Sequence, residues 1–466
     1  MGWYFTLKRK TMFKFFRKNR RSSDNKLKEP KNKFILSENE FLRYFSFSSL
    51  YVAQGIPEGM TFFAIPAWLA MNNKSVAEIG AFVGVIGIPW SFKILVAPLM
   101  DRFTYLPMGR KRPWVIIGQL GLIISLFAAS FIHDPLNSLN ILMVAGFFIS
   151  FFGAFQDVAV DGMAIDILPI NQQARANGLM WGSKTVGTSL SLAISTWIIN
   201  THGFSSAVIS LSVAVMCIIL IPIFFRENIG EKIMPWSKGA ASKISLEKQM
   251  KSWRVIFKSL FKVFFLPTSL IMGVAVFINS IGNGLMDTLL PVFTIQEVGW
   301  TNSDYSQIMA IANIVAGLSG MFIGGALVDI FGKKKMMSIY LIALIILIIS
   351  MAVFSNYWPS TFFVPTFIIS YYILYTFLTI AIFASAMELC WKRISATQFT
   401  LYMAISNLGR AIGAGYLGVF KDFLVKWEYV ILIYAVASII MFVLLRYMNF
   451  NKHLTSVEML ENNHLN

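Results

Sequence analysis

Long apolar stretches broken by short polar or charged intervals run along most of the chain. A helix needs about 20 mostly apolar residues to cross the hydrocarbon of a bilayer. Runs of that kind, bounded by Gly, Pro, Asn or charge, fall near residues 44–71, 76–100, 114–132, 139–168, 177–200, 205–225, 264–294, 303–329, 336–355, 361–389, 397–420 and 429–449. They predict an all-α membrane protein with 12 transmembrane helices in two six-helix bundles. The expected domains are a basic tail at 1–41, a first bundle at 42–225, a basic linker at 226–262, a second bundle at 263–449 and a C-terminal tail at 450–466.

Composition agrees with this pattern. Hydrophobic residues make up 56% of the 466 and charged residues 14%, against about 25% charged in soluble domains. The net charge of +17 would suit a nucleic-acid partner only if it were spread over one surface. Instead 13 Lys and Arg crowd into the first 43 residues and nine more into 226–262, while the apolar runs hold very few. The partner implied is a lipid bilayer and not nucleic acid. Basic loops stay cytoplasmic, so this distribution places both termini in the cytoplasm. The tail is too long and too basic for a signal peptide and reads as retained. Cys217 and Cys390 are too few for a disulfide framework or a metal site, and no cofactor motif is present. His133 and His202 have no partner for nucleophilic chemistry, which argues against an enzyme.

A repeat divides the chain. Ala97-Pro-Leu-Met-Asp101-Arg102 followed by Gly109-Arg110-Lys-Arg112 recurs as Gly324-Gly-Ala-Leu-Val-Asp329 followed by Gly332-Lys-Lys-Lys335. Both copies resemble the loop signature of the major facilitator superfamily. The resemblance implies two bundles rocking around a central site, with Asp101, Arg102, Arg110 and Asp329 in gating or structural roles.

Ionisable residues within the apolar runs are the candidate chemistry, because charge in hydrocarbon is costly and normally faces a protein interior or a water-filled path. Seven fall there: Glu58, Lys93, Asp157, Asp161, Lys184, Asp287 and Arg410. Asp157 and Asp161 are one helical turn apart on one face. Depth counted along each run predicts a Lys93–Asp161–Lys184 cluster with Asp157 toward the cavity. It puts Glu58 and Arg410 near mid-bilayer and Asp287 near the outer end of the seventh helix. Asp157, Asp161 and Glu58 are the proton-coupling candidates. Lys93, Lys184 and Arg410 are the candidates for an anionic substrate, with Gln156, Trp90, Trp181 and Gln398 beside them. Asp166, on the opposite face from Asp157, is expected to pair with Arg102 or Arg110 as a structural latch. Trp114, Trp300 and Trp358 suit interfacial belts, whereas Tyr51 lies deeper. Gly55, Pro57, Gly59, Pro66, Gly87 and Pro89 should kink or thin the first two helices.

More specific phrases follow. Gly55-Ile-Pro57 with Pro66-Ala-Trp68, Ser91-Phe-Lys93 running to Arg102, Gln156-Asp-Val-Ala-Val-Asp161 with Asp166-Ile-Leu-Pro169, and Ser395-Ala-Thr-Gln398-Phe-Thr-Leu401 with Asn407-Leu-Gly-Arg410 resemble the AmpG muropeptide permease family. Eukaryotic acetyl-CoA transporter-like proteins share much of the pattern. The resemblance implies an inner-membrane secondary transporter that imports anhydro-muropeptides with protons during cell-wall recycling; a monomer is expected. Glu58, Asp287 and Glu388 depart from the family pattern and put the substrate's identity in question. Another bulky anion, such as an acyl-CoA or a siderophore, and a membrane sensor derived from a transporter are the alternatives.

Overall fold

The computed structural model describes residues 34–247, 253–391 and 395–465. α1 runs as Glu40–Glu58, a π-helical turn Gly59–Ala64 and Ile65–Met71. α2 runs as Val76–Gly87, a 3-10 turn Ile88–Phe92 and Lys93–Arg102. Then come α3 (Arg112–Ala129), α4 (Leu139–Ile167), α5 (Ile170–His202) and α6 (Phe204–Ile218, continued by Leu220–Phe224). The second half holds α7 (Pro267–Gln296), α8 (Asn302–Ser319, a π turn Gly320–Gly324, Gly325–Phe331), α9 (Lys333–Val353), α10 (Phe363–Glu388), α11 (Ser395–Gly415, continued by Leu417–Leu424) and α12 (Trp427–Tyr447). Among the described residues nine of these helices are long and apolar enough to cross a membrane. The other three, α1, α5 and α11, are as long but more polar, and they carry Glu58, Lys184 and Arg410. The protein is an integral membrane protein. Its β structure, among the described residues, is a single parallel bridge between Ile35 and Arg226.

Local chemistry fixes where helices begin. Asn39 accepts from the Leu42 N–H, and Ser75 with Glu78 and Thr301 with Asp304 form reciprocal capping boxes. α5 starts about two turns before the apolar run does, at Ile170 directly after Pro169. Hydropathy missed this polar turn, which α1 holds in place: Arg43 Nε donates to Gln172 Oε1 at 3.0 Å. The expected breaks in the first two helices occur where Pro57 and Pro89 stand. The linker and C-terminal tail are partly helical, over Trp253–Phe264 and Phe450–Leu465. Trp358, expected at an interfacial belt, is buried edge-on against Phe293 at 4.7 Å.

The two bundles are built alike. In the first, α1 packs so closely on α5 that a Cβ on Gly187 would lie 2.6 Å from the Val52 carbonyl oxygen. In the second, α7 and α11 meet the same way at Gly284 and Gly413. Only small residues allow such backbone approach. The repeated loops match as well: Arg110 Nη1 pairs with Asp166 at 3.0 Å, and Lys333 Nζ pairs with Glu388 at 2.9 Å. Glu388 thus occupies, at the end of α10, the place Asp166 takes at the end of α4. α2 lies along α11, where a Cβ on Gly84 would sit 2.9 Å from Gly415 Cα. At the end opposite the basic loops the halves are fastened together. Asn200 and Asn302 exchange side-chain bonds of 2.9 and 2.8 Å, Thr196 and Ser306 hydroxyls lie 2.7 Å apart, and Gln296 Nε2 donates to the Lys74 carbonyl at 2.8 Å.

At the basic end, the buried Glu227 accepts from the backbone N–H groups of Arg110, Lys111 and Arg112 at the start of α3. Burial, and next the neighbouring Glu231, push its carboxyl up to about 7 against those three donors. A carboxyl with a raised folded pKa binds its proton more tightly folded than unfolded. Its contribution is therefore full below the unfolded value near 4.5 and is lost as pH rises through about 7. Thermal scans of the detergent-solubilised protein between pH 5 and pH 8 should show a Tm decline that Glu227→Gln makes shallower. An unchanged slope in the variant would remove Glu227 as its source.

Candidate functional site

The site is assembled from α1, α2, α4 and α5. Tyr51, Gln54 and Glu58 follow one another along one face of α1 at spacings of three and four residues. Asp157 and Asp161 face them from α4. Gln54 Nε2 donates to Asp157 Oδ1, Lys93 Nζ donates to Asp157 Oδ2, and the Tyr51 hydroxyl donates to Asp161. Lys93 stands where the 3-10 turn of α2 returns to α-helix, so the break at Pro89 aims it inward. Lys184 of α5 pairs with Glu58 at 2.9 Å. The Trp90 ring lies between the two lysines, its centroid 4.6 Å from Lys93 Nζ and 5.3 Å from Lys184 Nζ. Trp181, about half exposed, lies 5.3 Å from Lys184. A cation over an indole face gains about 0.5–2 kcal/mol according to how dry the site is. The 3-10 turn frees the Trp90 carbonyl, which accepts from Asn407 of α11 at 3.1 Å. That bond ties the first-half site to the second half.

The second half has its own charge pair. Arg410 Nη2 donates to Asp287 Oδ2 at 2.9 Å, and the Tyr372 hydroxyl donates to the other carboxylate oxygen at 3.0 Å. Asn283, one turn before Asp287 on α7, donates to the Tyr371 hydroxyl at 2.8 Å.

Three sequence expectations need correction. Lys93 bonds Asp157 rather than Asp161, and Lys184 bonds Glu58, so the expected three-residue cluster is two separate pairs. The cause is the start of α5: counted from Ile170, Lys184 lies about 21 Å along its helix and reaches the level of Glu58. Asp157 is buried at 6% exposure while Asp161 is half-buried, the reverse of the expected order. Asp287 is level with the guanidinium of Arg410, because α7 continues more than two turns beyond it to Gln296.

Other candidates lie elsewhere. Gln156 is fully buried and donates to the Leu50 carbonyl at 3.1 Å, facing away from the charge pairs. Gln398 is also fully buried. It accepts from the Trp391 N–H and donates to the Leu389 carbonyl, closing the loop between α10 and α11. The Asp101 and Asp329 side chains lie outside the described residues. Arg102 lies over the Phe103 ring, and Asp166 is held by Arg110. Sequence reasoning missed Gln54 and Tyr372 and placed Tyr51 only by its depth. A polar stripe at 51, 54 and 58 in an apolar helix was the available signal for the first group.

Two matched bundles joined at their far ends, with paired charges buried between helices, define a secondary transporter. A family model described as Major Facilitator Superfamily matches residues 47–414 and 274–456, and the chain belongs to that superfamily. It is 24% identical over 77% of its length to the anhydromuropeptide permease of Escherichia coli K12, of which it covers 70%. It is 26% identical over 78% of its length to the putative transporter AmpG 4 of Rickettsia conorii, covering 87% of that protein. The nucleoside transporter NupG shares the fold at a TM-score of 0.66, with 14% identity over 87% of this chain and 98% of that one.

The Lys93–Asp157 pair is nearly dry, with side chains 7% and 8% exposed. Removing one partner from a buried pair costs about 3–5 kcal/mol, whereas replacing both by apolar groups is close to neutral. Lys93→Met should therefore destabilise the protein strongly, and Lys93→Met with Asp157→Leu should recover most of the loss. Denaturant or thermal unfolding of the three proteins checks this, and strict additivity would contradict it.

Proposed function

We propose that this transporter imports an anionic cell-wall sugar-peptide, of the anhydro-muropeptide class, together with protons by alternating access. One observation carries the proposal. The seven ionisable residues inside the helices comprise three cations and four carboxylates, and each cation takes one carboxylate. Asp161 is left over, bonded to a phenol and half-buried. A surplus carboxylate at that depth is relieved by a proton or by water. Protonation of Asp161 removes the excess charge. Loss of that proton draws Lys93 toward Asp161 and loosens its hold on Asp157.

The way the halves meet supports alternating access. The bonds fastening α5 to α8 lie toward the far end, from Ser189 outward to Asn200. Nearer the basic end, Gly178 of α5 and Gly325 of α8 would meet nothing within 4 Å if given a side chain. This arrangement suits a path open toward the basic end, which the positive-inside pattern favours as the cytoplasmic side. The E. coli relative is named for anhydromuropeptide permeation, and that name supports the substrate class here.

The test is uptake of labelled anhydro-muropeptide into proteoliposomes with and without an inward proton gradient. The parent protein should accumulate it only with the gradient. Asp161→Asn should abolish accumulation while preserving downhill equilibration, and Asp157→Asn should also end accumulation. Accumulation at the parental level by Asp161→Asn would remove that residue from the proton path. No uptake by the parent, with uptake of an acyl-CoA or a ferric siderophore instead, would overturn the substrate class.

A further inference from the structure

The two mid-helix ion pairs Glu58–Lys184 and Asp287–Arg410 correspond to one another under the fold's pseudo-twofold symmetry. On α1, Val52, Gly55 and Glu58 follow at intervals of three; on α7, Ile281, Gly284 and Asp287 do the same. On α5, Gly187 follows Lys184 by three; on α11, Gly413 follows Arg410 by three. The contacts correspond too. Gly55 packs on the Lys184 carbonyl and Gly187 on the Val52 carbonyl, while Gly284 packs on the Arg410 carbonyl and Gly413 on the Ile281 carbonyl. Each bundle thus sets one acid from its first helix against one base from its fifth, at the same helix crossing.

These cations hold unused bonding capacity. Among the described residues Arg410 makes one hydrogen bond, to Asp287, although a guanidinium carries five N–H donors. Its side chain remains 32% exposed, high for a charge held midway along a spanning helix. Lys184 touches Glu58 at 2.9 Å and two indole faces, and none of these occupies all three ammonium donors. The Glu58 side chain is 21% exposed. Asn407, one turn before Arg410 on α11, bonds the Trp90 carbonyl at 3.1 Å, and the Trp90 ring lies 5.3 Å from Lys184 Nζ, so the two pairs stand near each other across the bundle interface.

We propose that Lys184 and Arg410 are twin seats for one ligand bearing two anionic groups, each bundle engaging one. Glu58 and Asp287 occupy the seats in the ligand's absence and are displaced when it binds. This rests on the transport function proposed above and narrows its substrate to a molecule with two separated carboxylates or phosphates. Lys93 is not a seat, because Asp157 and the closed packing around that pair engage it.

The experiment uses the full-length protein in nanodiscs and two kinds of probe. The first is an anhydro-muropeptide with two free carboxylates, its mono-amide and its di-amide, titrated calorimetrically. Losing one charge-assisted contact should weaken binding about tenfold or more. The mono-amide and the variants Lys184→Gln and Arg410→Gln should each show that loss. In at least one of those variants, dianion and mono-amide should bind alike. The second probe is a series of α,ω-dicarboxylates of increasing length, each compared with the monocarboxylate of equal length by thermal shift. Stabilisation should peak at one length and vanish in both variants. The pair-neutral variant Glu58→Gln with Lys184→Gln serves where the single substitution impairs folding.

Dicarboxylates that stabilise no more than monocarboxylates at every length, or a length optimum that survives both substitutions, would overturn the twin-seat assignment. If the length optimum appears while no muropeptide binds, the twin seats stand and the sugar-peptide substrate falls. If the muropeptide binds equally as dianion and mono-amide, the substrate class stands and the twin seats fall.

Discussion

Charge buried among hydrocarbon-spanning helices must be matched, and that requirement organises this molecule. A lone ion there costs several kcal/mol even after relaxation, and matching with good geometry offsets it. The partners come from different helices in every case: α2 with α4, α5 with α1, and α11 with α7. Each pair therefore also fixes which helices are neighbours and at what level they cross. Apolar packing against a lipid-like surround cannot supply this specificity, because one leucine face fits lipid as well as protein. The glycines complete it. Where Gly55, Gly187, Gly284 and Gly413 let backbones touch, the long basic side chains beside them can lie along the crossing and reach the acid opposite.

The same requirement makes the two halves unequal in use. In the second half, Asp287 has Arg410 and the Tyr372 hydroxyl, and the Tyr371–Asn283 bond lies close by. Its charge is matched. In the first half, Asp157 holds Lys93 and Gln54 tightly while Asp161, among the described residues, has only Tyr51. The repeated crossing is common to both halves, whereas the acidic pair on α4 belongs to the first alone, since α10 carries no Asp or Glu before Glu388 at its end. Proton handling by one half and ligand contact by both is the division this asymmetry supports.

Much of this was legible in the sequence because hydropathy, loop charge and the repeated loop phrase are all one-dimensional signals. The positions of Asp157, Asp161, Lys93, Lys184 and Arg410 within helices were read correctly for that reason. Their pairing was not, because pairing depends on depth and depth depends on where each helix begins. The polar turn after Pro169 hid the start of α5, and that one boundary moved Lys184 from Asp161 to Glu58. Gln156 and Gln398 failed as cavity residues for a different reason. A buried amide must satisfy its donors, and the nearest acceptors were the backbone carbonyls of Leu50 and Leu389. Nothing in a linear pattern separates an amide that serves a solute from one that serves a loop.

Coupling between ligand and conformation can be argued from the pairs themselves. Pulling Lys184 from Glu58 without a substitute would leave an uncompensated buried charge, at a cost of about 3–5 kcal/mol. An anion that takes the carboxylate's place removes this cost for Lys184 and transfers the burden to Glu58. Glu58 then needs a proton, water or a new partner, and it stands directly before the π turn of α1, where the regular hydrogen bonding shifts register. Helix α1 is consequently the element whose local geometry has most to gain from a change at that site. A ligand can shift a two-state equilibrium only by its difference in affinity for the two states. An anion bound by one bundle alone would move with that bundle and contribute no such difference. One held by both bundles favours whichever arrangement brings the two cations to its own length, and this is how a ligand's shape can choose between the ends at which the transporter opens.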